Sequence, residues 1–440
     1  PEEASFLAAH VVATGPDGGS VTYADLESAA TVVLVGFEPE DEAGTIFLRL
    51  RKAAHHHRTR VLSVAPFATR GLRKMNGQLI PAAPGDEATV LTAMIAQSDY
   101  GIDSTAVILV GERLGYTPHG LSAAASLAAR TGARLAWVPR RAGDRGALEA
   151  GCLPTLLPGG RPAADAAARV DAATAWGVST LPEAEGRDAD AIVAALTSGQ
   201  LKGLVVAGLD PDDTADPAAT RAAIAAADFV VALELRETDV TRAADVVFPV
   251  APVTDKAGTF VTWEGRVRPF EAVLANPGSL PDLRVLAGIA EELDTPLGFR
   301  TVADVRAQLE DLGEWDGPRA SMTPVEGPGA EPQTEAQEGG AAVRLATWKQ
   351  MIDHGSMQDG DEHLRATARQ AVARVSPTVY AAVGPTITVT GDRGSVILPA
   401  EPVDDLVDGV VWVPANSFGN GVLSDLASPG SRVSVKGATS

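Results

Sequence analysis

The sequence predicts an α/β protein with doubly wound parallel sheets, an inserted second α/β domain and a C-terminal β-barrel. In the first three-quarters of the chain, runs of β-branched residues alternate with Ala-rich segments, the pattern that produces parallel sheets with crossover helices. Beyond a stretch rich in Gly, Pro, Glu and Gln, the apolar runs become short and are separated by turn signals. Because the earlier strands are almost wholly apolar, we expect their sheets to be covered on both faces.

The α/β region contains the apolar runs TVVLVG, RVLSVA, AVILVG, GLVVAG and DFVVAL, which are typical of buried strands. The segment 140–162 is rich in Gly, Arg and Pro and is predicted to be a long loop. The predicted strands are 31–36, 60–65, 106–111, 133–138, 203–208 and 228–233, and the predicted helices are 3–12, 43–57, 86–97, 119–131, 165–175 and 188–198.

The order of these elements predicts the domains. Residues 1–90 and 195–312 are expected to form one core α/β domain, because each part contains an apolar strand that ends in Gly-x-acid-Pro. Residues 91–194 contain a strand–helix–strand repeat of their own and are expected to be a second α/β unit inserted into the core. The Gly- and Pro-rich residues 313–341 are predicted to be a linker.

The C-terminal residues 342–440 are predicted to form a β-barrel-like domain of short strands. The sequence GDRG separates apolar runs at 385–390 and 395–398, which indicates a hairpin. Further strands are expected at 410–414 and 432–435.

Composition and charge exclude several functions. The 440 residues carry a net charge of −21, which argues against a nucleic-acid ligand because such binding relies on a basic surface. No apolar run approaches the roughly 20 residues needed to span a bilayer, so any membrane link is expected to come through a partner. Cys152 is the single cysteine, and iron–sulfur clusters need about four such ligands.

Few side chains suggest a catalytic or metal site. The three consecutive histidines at 55–57 project in different directions from a helix, whereas metal sites prefer spacings such as i, i+4. Asp353, His354 and His363 follow the predicted linker without a further partner, and both groups are predicted to be surface residues. The motifs GxGxxG, GxxxxGK[ST] and GxSxG are absent from the sequence.

One phrase occurs twice: an apolar strand followed by Gly-x-acid-Pro. Both copies lie just beyond the carboxyl end of a strand, where open α/β sheets usually bind ligands. A simple strand-exit turn and a former binding loop are both open interpretations. The two copies are Gly36, Phe37, Glu38 and Pro39, and Gly208, Leu209, Asp210 and Pro211.

The segment 237–270 resembles the signature of the molybdopterin oxidoreductases. In that signature a Thr and an Ala-Asp pair precede a Val-rich strand ending in Pro, and acid-Lys-x-Gly-Thr-Phe and Glu-Gly-Arg follow. The matching residues are Thr241, Ala244, Asp245, Val246–Pro249, Asp255, Lys256, Gly258, Thr259, Phe260 and 264–266. The resemblance covers most of 31–300 and implies that family's fold, with its barrel domain at the C-terminus.

The resemblance also implies where a cofactor would lie. The family's pterin carries phosphates, which bind backbone N–H groups and cations at strand exits and helix N-termini. Active members commonly have Gly-x-Asn-Pro there, whereas an ionised carboxylate accepts hydrogen bonds without donating any. After the second strand, Ala65, Pro66 and Phe67 replace a frequent Asp-Pro-Arg. We therefore expect no pterin, metal or catalytic residue in this chain, with relic cofactor-loop positions at Gly36, Glu38, Pro39, Gly208, Asp210, Pro211, Gly258 and Thr259.

Two further stretches, 145–161 and 410–421, resemble parts of the G subunits of respiratory NADH-quinone oxidoreductases (complex I). That resemblance implies a structural part of an iron–sulfur subunit, whose clusters are expected upstream of Pro1 in the same polypeptide. It implies contacts with other hydrophilic subunits and a peripheral position on the cytoplasmic side of the cell membrane, without direct insertion. Two alternatives are a catalytic subunit of a molybdopterin-dependent oxidoreductase, such as formate dehydrogenase, and a free-standing binding module with the same fold.

Overall fold

The structure is a computed structural model that describes residues 2–274, 276, 278, 280–325, 341–416 and 421–438. The chain divides into two compact units. The first comprises residues 1–6, 15–140 and 322–440, and the second comprises residues 7–14 and 141–321. Residues 326–340 of the predicted linker and 417–420 of the segment 410–421 lie outside the described residues.

The N-terminal part of the chain forms a five-stranded parallel sheet with the strand order β3-β2-β1-β4-β5. All five residues of β1 are buried, as its TVVLV sequence predicts. The elements are α1 (Glu2–His10), α2 (Tyr23–Ser28), β1 (Thr31–Val35), α3 (Pro39–Glu42), α4 (Gly44–His56), β2 (Arg60–Ala65), α5 (Arg70–Lys74), β3 (Gln78–Pro81), α6 (Glu87–Ile95), β4 (Val107–Gly111), α7 (Gly120–Thr131) and β5 (Arg134–Val138).

The predicted division into a core of 1–90 with 195–312 and an insertion of 91–194 is wrong. Strand β4 pairs in parallel with β1, with Val32 opposite Val107, so residues after 91 complete the first sheet. The strand at 203–208 belongs to another sheet, in the second unit. The physical reason is that β1 has two edges. The apolar pattern identifies a strand, but it does not tell which edge the next strand will occupy.

The second unit contains a three-stranded parallel sheet, β10-β9-β8, and two small hairpins. Its hairpins are β6-β7 and β11-β12. The elements are α8 (Asp144–Glu149), β6 (Leu156–Leu157), β7 (Arg161–Pro162), α9 (Ala166–Trp176), α10 (Ala189–Thr197), β8 (Gly203–Ala207), α11 (Pro217–Ala226), β9 (Phe229–Glu234), α12 (Asp239–Ala243), β10 (Val246–Pro249), β11 (Gly258–Val261), β12 (Val267–Phe270), α13 (Asp282–Glu292) and α14 (Val302–Leu312).

Two expectations for this unit need correction. The segment 140–162 is not one long loop, because it contains α8 and the β6-β7 hairpin. The sheet is not fully covered on both faces either. One face packs against Ile224 and Val240 from the helices, whereas Val205 and Phe229 remain 54% and 50% exposed. An apolar strand sequence therefore does not by itself establish burial on both sides.

The C-terminal part of the first unit is a closed six-stranded barrel, which confirms the predicted β-barrel domain. The predicted hairpin is present, with Thr390 opposite Ser395. The barrel encloses a core of aliphatic side chains that includes Leu345, Ile387 and Leu398. The elements are β13 (Ala341–Ala346), α15 (Glu362–Arg365), β14 (Ala373–Val375), α16 (Pro377–Val383), β15 (Thr386–Thr390), β16 (Ser395–Pro402), β17 (Val410–Trp412), α17 (Val422–Asp425) and β18 (Arg432–Gly437).

Within the described ranges, no helix combines the length and apolar character needed to cross a membrane.

Candidate functional site

The first Gly-x-acid-Pro phrase forms a tight turn from β1 into the short helix α3. Gly36 has φ +59°, in the left-handed region that favours glycine. A Cβ at this position would lie 2.6 Å from the backbone N of Leu114, so close packing also requires glycine. The Glu38 side chain caps α3 by accepting a hydrogen bond from the Glu40 N–H at 3.3 Å, and Pro39 occupies the first helical position. The turn is thus specified by local chemistry.

The acidic residues that follow have largely covered side chains that pair with cations. Glu40 accepts hydrogen bonds from Arg70 at 3.0 Å and from Lys74 at 2.6 Å, both from α5. Glu42 forms a bidentate ion pair with Arg113, in which both N···O distances are 3.1 Å. The cations near this exit are therefore engaged by the chain's own carboxylates.

Asp41 connects this turn to the barrel. Its Oδ2 accepts a hydrogen bond from the indole N–H of Trp348 at 3.3 Å, and its Oδ1 lies 3.2 Å from the Arg369 guanidinium. Trp348 follows β13, and Arg369 precedes β14. The first strand exit is thus in direct contact with residues of the C-terminal domain.

Glu38 is the most deeply buried carboxyl of the turn, with 5% of its surface exposed. Burial raises the pKa of this carboxyl to about 7, and the neighbouring Asp41 and Glu42 charges add to the increase. Hydrogen bonds from the Thr69 hydroxyl and the Glu40 N–H act in the opposite direction. A group at a phosphate-binding position that is partly neutral at physiological pH still provides no positive charge.

An aromatic cluster fills the carboxyl edge next to this turn. The Phe67 ring, just after β2, stacks on Trp348 with centroids 5.4 Å apart and meets the edge of Trp412 at 6.2 Å. The two indoles are 4.9 Å apart. The Arg374 guanidinium lies 4.7 Å from the Trp412 ring centroid, and that of Arg113 lies 5.2 Å from the Trp348 centroid. Phe67, Trp348 and Trp412 are almost completely buried.

This arrangement does not fit a phosphate-bearing pterin. Phosphate binding at a strand exit requires N–H donors and available cations. At the first exit, buried carboxylates occupy the turn, and Arg70, Lys74 and Arg113 pair with them. The side chains of Phe67, Trp348 and Trp412 pack at the exit of the neighbouring strand.

The second Gly-x-acid-Pro phrase repeats the backbone of the first. Gly208 also has φ +59°, the Asp210 side chain accepts a hydrogen bond from the Asp212 N–H at 3.0 Å, and Pro211 occupies the first helical position. A Cβ on Gly208 would have no heavy atom within 4 Å, in contrast to Gly36. The two exits therefore share a turn but differ in how tightly it is packed.

A cavity of about 280 Å³ lies beside this second exit. Arg221 reaches Asp212 at 2.9 Å and Asp239 at 3.4 Å, and Arg242 reaches Glu237 at 3.2 Å. Both guanidiniums are thus already paired with carboxylates. The cavity is lined by Pro211, Arg221, Ile224, Asp239, Val240, Arg242 and Ala243.

Gly258 and Thr259 lie in the β11-β12 hairpin, and the nearby signature residues have structural contacts. A Cβ on Gly258 would lie 2.6 Å from the Phe270 ring, so this glycine permits the hairpin to pack. Thr241 completes a capping box at the start of α12, and Asp245 accepts a hydrogen bond from the Val230 N–H at 2.8 Å. The most recognisable motif of the sequence thus stabilises local structure.

The predicted site residues are divided between the units. Gly36, Glu38 and Pro39 belong to the first unit, and the remaining five belong to the second. Cys152 is exposed. In the part of the chain that the structure describes, no group of three or more His, Cys, Asp or Glu side chains is arranged to hold a metal ion.

Sequence reasoning missed the residues that fill the first exit: Arg113, Trp348, Arg374 and Trp412. The replacement of Asp-Pro-Arg by Ala65, Pro66 and Phe67 was one visible signal. The other was a tryptophan at the end of each of two barrel segments, RLATW and VVW. Neither signal predicts that the rings of Phe67, Trp348 and Trp412 are in contact, because Phe67 is far from the two tryptophans in the sequence.

The fold and its sequence signature define the class. The molybdopterin oxidoreductase pattern matches residues 7–291, and the chain belongs to that family. A solved structure of the acetylene hydratase from Pelobacter acetylenicus has a similar fold, with a TM-score of 0.64 and 12% identity over 99% of this chain and 80% of that one.

Two relatives within the family are the G subunits of NADH-quinone oxidoreductases. The one from Mycobacterium tuberculosis (strain CDC 1551 / Oshkosh) is 51% identical over 434 residues, which cover 97% of this chain and 53% of the relative. The one from Streptomyces coelicolor is 46% identical over 470 residues, or 100% of this chain and 55% of the relative. The chain therefore spans about half the length of the relatives that it matches.

Proposed function

We propose that the chain is the structural, cofactor-free part of the G subunit of a proton-pumping NADH-quinone oxidoreductase. In this proposal, iron–sulfur clusters in the N-terminal part of the same polypeptide carry electrons from NADH toward quinone. The similarity to two such G subunits over nearly the whole of this chain supports the assignment.

The observation that carries the cofactor-free role is the filled first strand exit. Four acidic residues and an aromatic cluster lie where the family's phosphate-bearing cofactor needs donors and cations. Without a cofactor, the chain can still contribute a folded surface on which other proteins pack. We propose that this surface packs against other hydrophilic subunits, in a peripheral position on the cytoplasmic side of the membrane.

Elemental analysis of the purified chain tests the absence of a pterin and a metal. The expected result is far less than one atom of molybdenum, tungsten or iron per chain, and no fluorescent pterin after oxidative extraction. Stoichiometric molybdenum or tungsten would overturn the scaffold role. It would favour the alternative of a catalytic molybdopterin enzyme, such as a formate dehydrogenase.

Assembly of the whole complex tests the role within the G subunit. Replacing the equivalent of Trp412 by Ala in the full-length polypeptide should reduce the amount of assembled NADH-quinone oxidoreductase, because this ring is 1% exposed and packs between the sheet and the barrel. Turnover per assembled complex should remain unchanged. Normal assembly with abolished turnover would contradict a structural role.

A further inference from the structure

The acidic turn at the first strand exit connects several separate elements of the first unit. We call residues 38–42, which comprise the cap and helix α3, the clasp. Toward the barrel, Asp41 holds the Trp348 indole N–H and the Arg369 guanidinium. Toward the sheet, Glu40 holds Arg70 and Lys74 of α5. The clasp therefore contacts both the sheet region and the barrel.

Glu42 completes the set of contacts. It pairs with Arg113, whose guanidinium lies over the Trp348 ring, and it accepts a hydrogen bond from the Glu38 N–H at 2.6 Å. Three carboxylates of the clasp thus each have a cation partner. A shift of α3 would disturb Asp41, Glu42 and the Trp348 contacts together.

Glu38 differs from the other three carboxylates in its surroundings. Its neighbours within the clasp are the acids Asp41 and Glu42, and it also faces the hydroxyl of Thr69, the residue that caps the start of α5. The cations around the clasp are directed to other acids: Arg70 and Lys74 to Glu40, Arg113 to Glu42, Arg369 to Asp41, and Arg374 to Glu401. An ionised Glu38 would therefore add a buried negative charge beside two others.

We propose that the clasp is a pH-sensitive joint between the first sheet and the barrel. It is closed while Glu38 is protonated and loosens when Glu38 ionises, because repulsion from Asp41 and Glu42 then displaces α3. The loosening weakens the Asp41 contacts with Trp348 and Arg369, which belong to the barrel side of the joint.

The size of the response follows from linkage. Burial raises the pKa of Glu38 from 4.5 to about 7 in the closed clasp. If the opened clasp restores the ordinary value, the open population rises about tenfold between about pH 6 and about pH 8.5, where Glu38 changes from mostly neutral to almost fully ionised. Above that range the response levels off.

Hydrogen exchange of the full chain measures this opening. The reporting amides are those of Asp41 and Glu42, which bond to the Glu38 carbonyl, and that of Ala415, which bonds to the Trp348 carbonyl. After correction for the intrinsic pH dependence of exchange, their protection should fall about tenfold over the stated range. Amides of the β15-β16 hairpin, which lies outside the clasp, should show no comparable loss.

Two variants isolate the titrating group. Glu38→Gln keeps the shape and the acceptor oxygen but cannot ionise, so protection at the clasp should become independent of pH. Glu87→Gln is the matched control, because burial also raises the pKa of Glu87, whose carboxyl bonds to Gly85 and Thr117 instead. In this control the tenfold change should persist at the clasp.

Three results would overturn the proposal. The first is wild-type protection at the clasp that does not change with pH. The second is a Glu38→Gln variant that keeps the full response. The third is an equal loss across the β15-β16 hairpin, which would indicate opening of the whole barrel. The first and third results come from the wild-type chain alone, so they remain decisive if a variant does not fold.

Discussion

Replacing Trp412 by Ala should destabilise the first unit far more than replacing an exposed tryptophan by Ala destabilises the chain. The indole is 1% exposed, with its ring 4.9 Å from Trp348, 6.2 Å from Phe67 and 4.7 Å from the Arg374 guanidinium. Replacing a buried Trp by Ala typically costs about 3–5 kcal/mol through lost burial and the cavity left behind. Offset and edge-on ring pairs stabilise a folded protein by about 0.5–1.5 kcal/mol each. Part of this stabilisation is already included in the cost of replacing Trp by Ala.

The phenylalanine variant refines this estimate. The Trp412 indole N–H is buried and has no hydrogen-bond partner among the described residues. Trp412→Phe therefore keeps an aromatic ring and removes an unsatisfied donor, whose burial costs about 1–3 kcal/mol. We expect this variant to lie much closer to the wild type than Trp412→Ala.

Native-state hydrogen exchange in increasing urea provides the assay, since a chain of two units need not unfold in one transition. The free energy of opening is read from amides of the barrel strands. Trp176→Ala is the control, because that ring is 41% exposed, and its effect should remain within about 0.5 kcal/mol. If Trp412→Ala changed the barrel no more than Trp176→Ala does, the aromatic cluster would not be a packing core.

Two further predictions concern the strand exits. Glu38→Gln should raise the free energy of unfolding of the first unit above neutral pH. The pKa of Glu38 is raised to about 7 in the folded chain, so the stabilisation by its neutral form is fully present below about pH 4.5. It is lost as the pH rises through about 7, and the total loss is about 3 kcal/mol. Urea titrations across this range check the result, and a wild-type curve as flat as that of the variant would refute it. Gly36→Ala should cost more than Gly208→Ala. Both positions have φ +59°, a left-handed conformation that costs a non-glycine residue about 1–2 kcal/mol. Only at Gly36 would the new Cβ also collide with the Leu114 backbone. Equal losses in thermal unfolding would show that the close contact is unimportant.

Much of the candidate site could be predicted from sequence, because its turns are local. Gly36 and Gly208 precede an acid and a proline, and that order alone specifies a left-handed residue, a cap and a first helical position. The acidity of both exits was equally visible. The pairing of Glu42 with Arg113 was not, because the partners are 71 residues apart.

The sequence by itself determined six strands of the two parallel sheets, the barrel hairpin and the family. Apolar periodicity located β1, β2, β4, β5, β8 and β9 within a residue or two, and GDRG located the barrel hairpin, because these signals depend on neighbours in the chain. The signature at 237–270 likewise lies within one continuous segment, so it could indicate the molybdopterin oxidoreductase family without knowledge of the fold.

Only the tertiary structure decided which strands are adjacent and what fills the first exit. Strand β4 takes the second edge of β1 instead of starting a separate domain. Trp348 and Trp412, which lie far from Phe67 in the sequence, pack against it from the barrel. Strand order and ring packing are set by burial between segments that are remote in sequence. Local residue preferences do not determine such contacts between remote segments, so the filled first strand exit could be identified only from the folded structure.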